Sequence, residues 1–120
     1  MTTLKVKIES LDEVMSQLSA VFRMPPGEHP EEDIATLSFP SWELMHRVLA
    51  PKRLEIVRVM AGQGPLSIRE IARRVGRDFK GVHSDVDALL KSGVIDKAPT
   101  GGVEFPYDRL HFEFEIEAAA

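Results

Sequence analysis

The chain has no cysteine, which excludes a disulfide framework and a thiolate site. No apolar run approaches the ~18 residues of a membrane span. The first residues lack a signal-peptide pattern, so a cytoplasmic protein without a membrane partner is expected. Gly62-Gln63-Gly64 lacks the third glycine, the lysine–serine pair and the βαβ setting of a phosphate-binding loop. No serine stands in a nucleophile-elbow context. His29, His46 and His111 are scattered without ligand spacing. The carboxylates fall on polar faces with no apolar pocket to raise a pKa. No enzyme, no metal and no cofactor are therefore expected. There is no internal repeat, and no low-complexity tract beyond the terminal alanines.

Cations are also short. The formal net charge is −4, which at first argues against a polyanionic partner. The distribution answers this. Acid concentrates in residues 1–40 and in Glu113, Glu115 and Glu117, while residues 41–112 hold more cations than anions. Arg69, Arg73, Arg74, Arg77 and Lys80 crowd into one short stretch. Such a cluster can face phosphates while the acidic ends face elsewhere.

That stretch, Pro65 to Lys91, organises the chain. Ser67 and Glu70 form a capping-box pattern, in which the serine hydroxyl bonds the Glu70 amide and the Glu70 side chain reaches back. Leu66, Ile68, Ile71, Ala72 and Val75 recur at helical spacing, and Gly76 follows where a helix end favours positive φ. Asp78 is placed to cap a second helix. Phe79, Val82, Val86, Leu89 and Leu90 form the apolar face of that helix, and Gly93 ends it. Two short amphipathic helices joined by a glycine-containing turn predict a helix-turn-helix, its second helix shaped for a major groove. Such pairs also occur as packing units in proteins that never touch DNA. Downstream, Gly101-Gly102 between Val94-Ile95 and Val103-Glu104-Phe105 predicts a β-hairpin. Three helices and then a hairpin is the winged-helix order.

The remaining segments are read from periodicity and caps. Leu4, Val6 and Ile8 alternate with Lys5, Lys7 and Glu9, a half-buried strand. Ser10 and Glu13 form a second capping box, opening a helix with Leu11, Val14, Met15, Leu18, Val21 and Phe22 as its apolar set. Pro25-Pro26-Gly27 breaks it, an acidic loop runs from His29 to Asp33, and Ala35, Leu37 and Phe39 mark a second strand. Ser41 caps a helix to about Leu49, with Trp42, Leu44, Met45 and Val48 as its apolar set and Trp42 expected in the core. Pro51 opens the next helix, whose face is Leu54, Ile56, Val57 and Met60. Met15, Met24, Met45 and Met60 are expected in the core or at its margin.

The C-terminal pattern is a long strand, with Leu110, Phe112, Phe114 and Ile116 alternating with His111, Glu113, Glu115 and Glu117. Its glutamates complement Lys5 and Lys7, and opposite charges across strands stabilise pairing. The two strands are therefore expected to pair, within one chain or between two, the latter giving a symmetric dimer. The fold class expected is α+β. Residues 1–40 form a strand-helix-strand extension for dimerisation or partner docking. Residues 41–117 form a winged helix-turn-helix domain with a long C-terminal strand, and residues 118–120 are a frayed tail.

Leu66 to Gly76 resembles the second and third helix region of MarR- and ArsR-like winged-helix regulators. Val82 and the run Asp87 to Ile95 look like the end of their recognition helix and the first wing strand. Phe105 to Phe114 is similar to a prokaryotic family of small predicted transcriptional regulators, some of which look like antitoxins encoded beside a toxin. The resemblance covers about residues 41–117. It implies a repressor that binds double-stranded DNA as a homodimer on a short inverted repeat, with a cognate toxin as a further partner if the chain is an antitoxin.

The resemblance also implies roles. Lys80, Gly81, His83, Ser84 and Asp87 would face the bases, Lys80 toward guanine or phosphate and His83 and Ser84 toward base edges. Arg69, Arg73, Arg74 and Arg77 would hold the phosphate backbone and set register. Lys97 and the backbone of Gly101 and Gly102 would form the wing contact. Two features depart from the family pattern. The recognition helix has no arginine and carries Asp85 and Asp87, and the wing tip is short and nearly uncharged. The alternative is a protein–protein interaction module that uses the same scaffold without sequence-specific DNA contact.

Overall fold

A computed structural model describes residues 2–9, 12, 15, 16, 18, 19, 35–116 and 118. Its elements run β1 (Thr3–Ile8), β2 (Ala35–Phe39), α1 (Trp42–Val48), α2 (Pro51–Met60), α3 (Ile68–Val75), α4 (Phe79–Lys91), β3 (Asp96–Lys97), β4 (Val103–Glu104) and β5 (Arg109–Glu113). The mixture of helices and small sheets makes this an α+β protein. Asp12, Met15, Ser16, Leu18 and Ser19 are helical. The capping box at Ser10, the break at Pro25-Pro26-Gly27, the acidic loop and Met24 lie outside the described residues.

β1 is the centre of a three-stranded sheet in the order β2-β1-β5. Both neighbours run parallel to it, so the expected pairing of the first and last strands occurs within one chain. Lys5 meets Glu113 at 2.9 Å, and the Thr2 amide donates to the Asp108 carboxylate at 3.0 Å, which fixes the register. Alternation sends Leu4, Val6 and Ile8 to one face and Lys5 and Lys7 to the other. Val6 sits between Leu37 and Phe112 and is fully buried. β5 is shorter than its sequence pattern, ending at Glu113 and leaving Phe114 to Ile116 outside the strand.

The helices pack beneath that apolar face. Ile56 and Met60 of α2, Ile71 of α3 and Val82, Val86 and Leu89 of α4 are buried, and they join Leu4, Val6, Phe39 and Phe105 in one cluster. Met45 is buried too, whereas Met15 and Leu18, expected on an apolar helix face, are exposed. Local signals set the helix starts. Ser41 Oγ accepts from the Leu44 amide at 3.2 Å, and Pro51 opens α2.

Two expectations about the core are corrected. Trp42 is 51% exposed and Phe79 46% exposed. Each is the first residue of its helix. A side chain there tilts back toward the N-terminus and overshoots the packed face.

Leu66 forms an antiparallel bridge with Val103, so the segment before α3 is tied to the hairpin that follows α4. The amides and carbonyls of the two residues exchange bonds at 2.8 and 2.9 Å. The hairpin itself is β3 paired with β4; Val94 and Ile95 are buried just before it. Gly102 makes the close approach possible. A Cβ at this position would lie 2.6 Å from the Leu66 carbonyl oxygen, and the backbone is at φ +76°. Gly102→Ala is therefore expected to cost ~2 kcal/mol through clash and backbone strain, read as a lower urea midpoint with an unchanged slope.

Candidate nucleic-acid interface

The α3–turn–α4 unit is set by its caps. Ser67 Oγ accepts from the Glu70 amide at 3.1 Å. The reverse arm of the expected capping box is absent, because the Glu70 carboxylate is taken by Arg73 and Arg74. Two guanidiniums, one a turn away and the other nearly so, outcompete a single backbone amide. Gly76 ends α3 in the left-handed region at φ 68°. Asp78 then caps α4, its carboxylate accepting from the Gly81 amide at 2.9 Å. Val82, Val86 and Leu89 anchor α4 in the core, so periodicity turns Lys80, His83 and Ser84 outward, where all three are exposed.

The arginines divide into two groups. Arg73 and Arg74 sit on Glu70, and Arg74 also donates to Gln63 Oε1 at 3.0 Å. Hydrogen bonds from Arg73 and then Arg74 lower the Glu70 pKa to about 2, so this carboxylate stays charged. Both arginines remain at the surface, and a guanidinium has donors beyond those one carboxylate uses. Arg69 lies over the Phe79 ring at 5.5 Å, and that ring is tilted against His83 at 5.7 Å. Arg69, Phe79 and His83 thus form one strip across α3 and α4.

Arg77 behaves differently. Its guanidinium turns inward and donates to Asp85 Oδ2 at 2.9 Å. Arg53 of α2 donates to Asp85 Oδ1 at 3.1 Å and also to the carbonyls of Arg47 and Val48 at the end of α1. The Asp85 carboxylate thus joins α2, the turn and α4, and Arg53 extends the tie to α1. Burial alone would raise the Asp85 pKa, but the hydrogen bonds from Arg77 and Arg53 outweigh it and hold the group below its ordinary value. Asp87 is likewise engaged, by Lys91 at 2.8 Å, and that hydrogen bond lowers its pKa.

Among the residues expected at this surface, Arg69, Arg73, Arg74, Lys80, His83 and Ser84 are exposed; Arg69 is linked to α4 through Phe79 and His83, while Arg74 turns toward Gln63. Gly81 is half-buried beside the Arg77 guanidinium and the Asp78 carboxylate. Lys97, Gly101 and Gly102 are exposed on the hairpin. Nothing in the sequence points to Arg53, and helical periodicity places Phe79 in the core, where the structure instead exposes it. Phe79 had a legible signal, its place directly after the capping Asp78. Arg53 had none, since its partner Asp85 is 32 residues away.

Taken together, these features describe an α+β chain whose cationic helix pair projects from a sheet-backed core. A family model, HVO_A0114, matches residues 48–112, more than half of the chain, and the chain belongs to that family. The matched span runs from the end of α1 through Phe112 of β5. No curated protein and no solved structure matches the chain.

Proposed function

We propose that this chain is a winged-helix DNA-binding regulator, a repressor that acts as a dimer on a short inverted repeat. The observation that carries this reading is the fate of Asp85. A carboxylate in the middle of a groove-reading helix would repel phosphates. Here it is half-buried between Arg53 and Arg77, leaving Lys80, His83 and Ser84 as the outward residues of the first half of α4, with Asp87 beyond them neutralised by Lys91. Arg69 adjoins them through the Phe79 ring, and Arg73 and Arg74 stand exposed on α3. The bridge from Leu66 to the β3–β4 hairpin supports the winged-helix assignment, because it ties the strand segment before the helix pair to the wing after it.

In this reading α4 enters the major groove. His83 and Ser84 reach base edges, Lys80 takes guanine or phosphate, and the α3 arginines grip the backbone. Lys97 and the glycine turn lie along the neighbouring phosphates. The test is binding of wild type and Lys80→Glu to a duplex spanning the region upstream of the protein's own reading frame. Among the described residues no ion pair holds Lys80, so the variant should melt like wild type. It should bind about tenfold or more weakly, the effect of losing one charge-assisted contact and gaining repulsion. Unchanged affinity would remove α4 from the interface.

A further inference from the structure

The three-stranded sheet ends on β5, and no described strand pairs with its far edge. Along that edge and beyond it, Leu110, Phe112, Phe114 and Ile116 alternate with Arg109, His111, Glu113 and Glu115. Phe112 is 37% exposed, Phe114 39% and Ile116 83%. The segment carries neither proline nor lysine, two residues that commonly blunt an edge. An open edge bearing apolar side chains is a template for another strand.

We infer that a second copy of this chain docks on that edge, the two β5 strands running antiparallel about a two-fold axis at Phe112. The charge order selects this occupant. Arg109 and His111 come first along one face, and Glu113 and Glu115 follow. Antiparallel pairing centred on Phe112 sets Arg109 opposite the partner's Glu115 and His111 opposite the partner's Glu113, each twice by symmetry. Centring one residue later would set Glu113 against its own twin. Parallel in-register pairing would stack every like charge. Centring on His111 would set Arg109 opposite Glu113, a carboxylate that Lys5 already holds, and His111 against its twin. Opposite pairs across strands stabilise and like pairs destabilise, so the register centred on Phe112, which gives Arg109 the Glu115 carboxylate, is favoured.

The apolar face agrees with it. In this register Phe112 meets its twin and the partner's Phe114 falls beside Leu110. Leu110 and Phe112 line an open groove with Leu54, Val57 and Ala61, and the partner's Phe114 arrives at its mouth. Pairing extends β5 through residues 114–116, which continue the alternation beyond the strand. The product is a six-stranded sheet, β2-β1-β5-β5-β1-β2, that carries both α4 helices in one particle. The inference rests on the dimer in the reading above and gives it an interface.

The test is sedimentation of the full chain without DNA. Arg109→Glu and Glu115→Arg should each raise the dimer Kd about tenfold or more, and the double exchange R109E plus E115R should restore it. Because the chain has no cysteine, single cysteines report register. Phe112→Cys should cross-link to its twin. Leu110→Cys and Phe114→Cys should cross-link when mixed but not alone. A monomeric wild type, or a dimer indifferent to both single exchanges, would overturn the inference, as would a double exchange no better than the singles. Duplex binding measured on the same samples separates the two readings. A monomer that binds duplex removes the dimer and its β5 interface but leaves DNA binding, and a β5 dimer that ignores duplex removes only the DNA reading.

Discussion

Asp85→Ala is expected to lower the free energy of unfolding by ~2–3 kcal/mol at neutral pH, measured by urea denaturation. Deleting one member of a buried ion pair typically costs ~3–5 kcal/mol because the other charge is stranded. The groups here retain some exposure, with side chains 17% accessible for Asp85, 23% for Arg53 and 25% for Arg77, so the expectation is smaller. The loss should also depend on pH. The Asp85 pKa is lowered in the folded protein, so its contribution is complete above the unfolded carboxylate value of ~3.9. It fades as pH falls through the lower folded value. Wild-type and variant stabilities should therefore stand apart at neutral pH and converge in strong acid. A constant gap down to the acid limit would mean that the carboxylate acts through packing and not through its charge.

Arg73→Glu combined with Arg74→Glu is expected to weaken duplex binding by ~100-fold or more and to flatten its salt dependence. In a dimer the pair contributes up to four phosphate contacts, and each contact adds ~0.9 to the slope of log affinity against log salt. The slope should then fall by ~3–4. The fold should survive, because neither guanidinium is buried and exposed ion pairs of this kind contribute ~0–1 kcal/mol each. Glu70 is the internal control. It already neutralises part of both arginines, so phosphate has to displace it on binding. Loss of affinity with an unchanged salt slope would show that the double variant perturbs the helix and not the contacts.

What was legible in the sequence is what is local. Ser41, Ser67 and Asp78 cap the helices they were expected to cap, because a cap needs only a side-chain oxygen and an amide a few residues away. The glycine at position 76 and the proline at position 51 mark helix ends for equally local reasons. The pairing of the first and last strands was readable from Lys5 and Glu113, but the alternation of side chains is the same for parallel and antiparallel partners, so the direction was not. Trp42 and Phe79 were misread because periodicity gives the angle around a helix and not the position along it.

The candidate site was legible as composition and not as arrangement. The exposed positions of α3 and α4 followed from helical period. That Arg77 turns toward Asp85, that Arg53 joins it, and that Asp85 is thereby half-buried between them have no sequence-local signature. They change the meaning of an acidic residue in α4 from an obstacle to a brace.

The most direct measurement is a salt titration of wild-type binding to the duplex upstream of the protein's own reading frame. A dimer making about six phosphate contacts should lose roughly three decades of affinity between ~50 and ~200 mM salt. An unshifted duplex at low salt and high protein concentration would contradict the account and leave the helix pair as a scaffold for a protein partner.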